Sequence, residues 1–172
     1  PGIYPWYVEN LKRGINKARW IEYALSSSLM IVLIAMLTGV YDMAALLAMF
    51  AANASMNLFG YMMELHNQMT ERTDWTAFVF GCIAGIVPWI ILVIQMIGSA
   101  SVNNAEIPGF VYAILITIFA TFNIFPVNMV LQYKKVGPWK NYVFGEVVYV
   151  FLSLAAKSAL AWQIFAGTLQ PA

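Results

Sequence analysis

The stretch WKNYVFGEVVYVFLSLAAKSALAWQIFAGT, residues Trp139 to Thr168, decides the fold. It is apolar over more than the ~20 residues that a helix needs to cross a bilayer. It nevertheless carries one lysine, Lys157, near its middle. A lysine at that depth costs roughly 2.5–3.5 kcal/mol on insertion scales, so it should face the protein interior and have a partner. A structural ion pair or a snorkelling side chain is the plain explanation. Snorkelling is disfavoured, because the charge lies far from both ends of the segment. The chemical explanation is a lysine that forms an imine with an aldehyde, since a buried amine readily gives up its proton and becomes nucleophilic.

Working outward, the same composition recurs. The chain has 172 residues, of which 62% are hydrophobic and 10% charged, against about 25% charged in soluble domains. Four further apolar runs precede the first, so five spans are predicted at about 18–41, 43–64, 75–99, 108–132 and 139–168. This is an all-α membrane protein: a segment 1–17, a transmembrane bundle 18–168 and a short tail 169–172. Asp42, Asn103-Asn104 and Gly137-Pro138 supply turn chemistry between spans, and Thr73-Asp74 a cap before the third. Pro88 and Pro126 lie inside spans and predict kinks. Pro1 is no natural start, and the chain reads as the later part of something longer. A net charge of +1 says nothing about nucleic acid, but no basic cluster alternates with aromatics on a polar surface, and no nucleic-acid partner is expected. Cys82 is the single cysteine and His66 the single histidine. No metal-ligand cluster or nucleophilic triad follows, and an enzyme is not expected.

The charges also orient the chain. Apart from Lys157, every basic residue falls on one side: Lys12, Arg13, Lys17 and Arg19 before span one, Arg72 after span two, and Lys134, Lys135 and Lys140 after span four. The opposite loops hold Asp42 and Glu106. By the positive-inside rule the start of this chain is cytoplasmic and its C-terminus extracellular, in a multi-pass protein of the cell membrane.

Among the carboxylates, Glu22 lies well inside span one and is the natural counter-charge for Lys157. Ser26 follows Glu22 by four residues, and Ser153 precedes Lys157 by four, so each hydroxyl shares a helix face with its ionisable neighbour. Glu64 and Glu146 sit nearer span ends, where the plain reading is a solvated or interfacial carboxylate.

In this register the residues resemble the microbial rhodopsins. Arg19-Trp20-Ile21-Glu22-Tyr23, with Ser26 beyond, is similar to the third-helix pattern of that superfamily. Asn53, Met56 and Gly60 match a polar residue, a Met and a Gly that line its retinal. Trp89 and Met96 match a ring-stacking Trp and a Met seven residues on, and Phe122 to Pro126 its aromatic-x-x-aromatic-Pro segment. Each aromatic or Met alone is ordinary bundle packing, and Asn53 alone an interhelical hydrogen-bonding residue. Their common order with Glu22 and Lys157 carries the resemblance. Two departures mark a subfamily. Ion-pumping members carry a second carboxylate where this chain has Ser153, and proton pumps a carboxyl donor where it has Leu33. Together with the reversed charge asymmetry and the segment RWIEYALSSSLM, they make the chain look like a heliorhodopsin.

The resemblance implies a rhodopsin-like seven-helix bundle of which this chain supplies the last five helices, the first two being absent. It implies retinal bound as a protonated Schiff base on Lys157, with Glu22 as counterion and Ser26, Ser153, Asn53, Met56, Gly60, Trp89, Met96, Phe122 and Phe125 around it. It implies a homodimer through spans two and three, where Ala44, Ala45 and Ala48 are small. The expected function is light sensing, passed to an unidentified signalling protein. The alternatives are a light-driven ion or proton pump of the same fold, and a fragment of a secondary transporter, for which inverted repeats are lacking.

Overall fold

The computed structural model describes residues 2–103 and 108–169. Asn104 and Glu106, read above as loop residues, and tail residues 170–172 lie outside the described residues. Among the described residues six helices follow one another: α1 (Ile3–Lys12), α2 (Lys17–Leu37), α3 (Met43–His66), α4 (Thr76–Asn103), α5 (Gly109–Tyr133) and α6 (Tyr142–Thr168). A 3-10 turn, Gly137–Lys140, precedes α6. α2 to α6 are each long and apolar enough to cross a membrane. The chain divides into two compact units, Pro1–Val102 and Asn103–Ala172.

The helix ends differ from the sequence reading, for identifiable reasons. The first span stops at Leu37 rather than near Tyr41. Gly39 adopts φ +91°, which lets Gly39 N–H reach the Met36 carbonyl (3.1 Å) and Val40 N–H the Ala35 carbonyl (3.0 Å). This is a Schellman closure, with Val40 buried beneath it. α5 closes in the same way on Lys135, at φ 51°. The last span begins at Tyr142 rather than Trp139, because the Asn141 side chain caps it by accepting from Val143 N–H (3.0 Å). Trp139 instead belongs to the 3-10 turn and donates its indole N–H to Asn128 (2.6 Å). Residues 3–12, read above only as part of a leading segment, form a helix. Pro88 and Pro126 sit inside α4 and α5, and both helices run on through them.

In the first unit α2 packs along α3 over Ile31, Ile34, Ala35, Met49 and Met63, all fully buried. A polar ladder crosses the same interface: Asn53 donates to Ser27 (2.7 Å) and Ser28 (3.1 Å), and Asn57 donates to Ser27 (3.0 Å). Such interhelical bonds average about 0.6 kcal/mol each in a membrane, so they fix register more than they add stability. In the second unit α5 packs along α6 over Val111, Ile114 and Ile118. Asn128 donates to the Gly145 carbonyl (3.2 Å), and Gln163 donates to the Thr117 hydroxyl (3.1 Å).

Candidate functional site

Lys157 lies 15 residues into the 27-residue α6, which places it about 22 Å along a helix of about 40 Å. It is half-buried. Ser153 stands one turn before it and Tyr149 one turn earlier still, so hydroxyl, hydroxyl and amine succeed one another at four-residue intervals. Tyr149 is 2% exposed, and its ring lies 6.2 Å from that of Phe125 at 31°. Sequence reasoning named Phe125 and missed Tyr149. The signal was available, since a tyrosine four residues before Ser153 extends the stripe that ends at Lys157. Phe122, one turn before Phe125 on α5, is half-buried. The second unit thus brings Phe125 of α5 onto the helix that carries Lys157.

In the first unit Glu22 lies on an exposed face of α2. One turn on, the Ser26 hydroxyl oxygen is buried without a hydrogen-bond partner among the described residues. Asn53 is fully buried, and its side-chain oxygen is likewise unsatisfied while its amide holds Ser27 and Ser28. Met56 fills the space that Gly85 of α4 leaves open, since a Cβ at Gly85 would collide with its sulfur. Gly60 serves Trp20 in the same manner: any side chain there would strike the indole. Two of the residues read as retinal-lining therefore have close protein neighbours on α2 and α4. Trp89 is buried on α4 next to the fully buried Pro88, and Met96 is half-buried two turns later.

Two carboxylates depart from the sequence reading. Glu64 was expected at an interface, but it is 2% exposed. It is ion-paired with Arg19 of α2, and its other oxygen accepts the Asn16 backbone N–H (3.1 Å). Arg19 is itself buried and lies over the Trp20 ring, 4.2 Å from the ring centroid. It was counted above among the flanking basic residues, yet its charge is spent inside the protein. Glu146 was expected to be solvated, but it is 5% exposed and accepts from Gln132 (3.4 Å), whose amide also donates to the Tyr142 carbonyl (3.1 Å). Burial of both follows from partners on neighbouring helices, which spacing along one helix does not show.

Five long apolar helices, one of them carrying a half-buried lysine in mid-span, define a polytopic α-helical membrane protein. The chain belongs to the heliorhodopsin family, whose family model matches residues 1–169. Its five spans are therefore five helices of that family's seven-helix bundle. No curated protein matches the chain.

Proposed function

We propose that this protein is a light-sensing photoreceptor that carries retinal on the Lys157 amine, with Glu22 as the counter-charge, and that it moves no net ions. The observation that carries the reading is Lys157 itself, half-buried in mid-span on α6 of a heliorhodopsin-family chain. The residues fit such a group. Among the described residues the buried Ser26 hydroxyl and the Asn53 oxygen each lack a partner, and a buried unsatisfied polar atom is costly unless something else meets it. Phe122, Phe125, Trp89 and Met96 supply apolar and aromatic surface suited to a polyene, while Met56 and Gly60, assigned to it by resemblance, already have Gly85 and Trp20 as close neighbours.

When bound, retinal supplies the absorption of light and a change of shape. The chain's residues do the rest. Lys157 holds a proton at its nitrogen in the dark, and the Glu22 carboxylate favours that charge electrostatically. Ser153 and Ser26 donate or accept hydrogen bonds at the two ends of that charge pair. A shift of the proton relative to Glu22 changes the charge balance between helices, and a helix arrangement with two stable states would convert it into a signal. Net transport needs further proton-carrying groups. Ser153 and Leu33 stand where pumping members of the superfamily have carboxyls, so the charge movement ends locally. The start of the chain is proposed as cytoplasmic, the assembly as a homodimer through α3 and α4, and the family's two remaining helices as the cover for the exposed face of Glu22. Illumination of the protein in sealed vesicles tests the sensing assignment. No sustained current or pH change is expected, and a steady one would identify a pump.

A further inference from the structure

We propose that α1 is an interfacial helix that lies in the headgroup layer of the protein's own membrane and is held there by anionic lipid. At 3.6 residues per turn, Ile3, Tyr4, Tyr7, Val8 and Leu11 fall on one arc of about 140°. Glu9 falls opposite and Lys12 on the flank, about 40° beyond Val8, and both are exposed. Asn10, at the edge of the apolar arc, is the buried residue of the helix. The first turn of the arc is left open, with Ile3 76% and Tyr4 72% exposed and Trp6 43% exposed, while Tyr7, Val8 and Leu11 are half-buried. A soluble helix would hide such residues or lack them. Tyr and Trp beside an apolar face are the residues that favour the membrane–water boundary.

Position selects the occupant. Gly14, at φ +70°, turns the chain, and Ile15 N–H closes onto the Asn10 carbonyl (3.1 Å). Asn16 then caps the membrane-spanning α2 by accepting from Arg19 N–H (3.1 Å), and its own amide reaches the Tyr7 hydroxyl (3.5 Å). Only four residues, 13–16, separate α1 from α2, so α1 cannot leave the plane where that span begins. Charge completes the match. Lys12, Arg13 and Lys17 face a single carboxylate, Glu9, which pairs with Arg13. Arg19 is left out of this count because it is paired with Glu64. Clustered cations beside an interfacial helix attract anionic headgroups.

Spin labels on the full chain in vesicles test this. With Cys82→Ser removing the single cysteine, labels are placed through Tyr4→Cys or Lys12→Cys. The protein is then reconstituted into phosphatidylcholine alone or mixed with phosphatidylserine. The Tyr4 label should be relaxed by oxygen more than by an aqueous nickel complex, and the Lys12 label the reverse. Phosphatidylserine should deepen the Tyr4 label, and Lys12→Gln with Arg13→Gln should abolish that dependence. A Tyr4 label as open to nickel as the Lys12 label would overturn the proposal. So would one shielded from both reagents, which marks a protein partner, or a depth indifferent to phosphatidylserine.

Discussion

Arg19 and Glu64 stand 45 residues apart in the chain and meet as a buried pair. Removing one partner of such a pair leaves an uncompensated charge and costs roughly 3–5 kcal/mol, whereas replacing both with apolar residues of similar size can be neutral. Glu64→Leu should therefore lower the thermal midpoint strongly, and Arg19→Met with Glu64→Leu should recover most of the loss when unfolding is followed by helicity. A double variant as unstable as the single one would mean that the Glu64 carboxylate matters through Asn16 and not through Arg19. Glu22 is a different kind of carboxylate, exposed on α2 and assigned to the proposed site. Glu22→Gln should shift the visible band, because it removes the opposite charge proposed beside the charged chromophore. An unchanged band would remove Glu22 from the counter-charge role. The distinction between these two glutamates was only half legible. Depth within a span singled out Glu22, but the burial of Glu64 and Glu146 depends on Arg19 and Gln132, which other helices bring to them.

At the scale of elements, the apolar runs placed the five spans, because membrane helices must satisfy their backbone internally and need length above all. Their ends were less legible. Thr38-Gly39-Val40-Tyr41 is apolar enough to read as more helix, and only the left-handed conformation of Gly39 cuts it short. α1 escaped for the opposite reason: its apolar and polar residues are mixed on a scale shorter than a span. α4 starts at Thr76, one residue past the expected Trp75, and the chemistry of Asp74 before it can be tested. The Asp74 carboxylate accepts from Thr76 N–H (2.8 Å) and stands 3.2 Å from the His66 ring nitrogen. The Thr76 hydrogen bonds first, and the His66 charge last, hold its carboxyl below the ordinary carboxylate value of 3.8. A depressed carboxylate pKa stabilises the folded state above the unfolded value, and this contribution is lost as pH falls through the lowered folded value. Protection of the Thr76 amide against hydrogen exchange should thus persist to below pH 3.8 and then fall, and Asp74→Asn should flatten that acid limb. An acid limb retained in Asp74→Asn would place the effect elsewhere.

At the scale of the whole molecule, the residues assigned to retinal come from both compact units: Glu22, Ser26, Asn53 and Trp89 from Pro1–Val102, and Phe122, Phe125, Ser153 and Lys157 from Asn103–Ala172. Binding of retinal would add to the stability of the folded state by mass action. The family was legible through order and spacing alone, and its model matches residues 1–169. What order could not supply was the local packing, in which Trp20 occupies the space at Gly60 and Tyr149 backs Phe125. The central claim is the attachment at Lys157. It is tested most directly by the absorption spectrum of the protein with added retinal, taken before and after hydroxylamine in light, alongside Lys157→Ala. The account predicts a visible band in the unaltered protein that hydroxylamine bleaches under illumination, and a colourless Lys157→Ala. A Lys157→Ala protein that keeps covalently bound retinal and its visible band would contradict it.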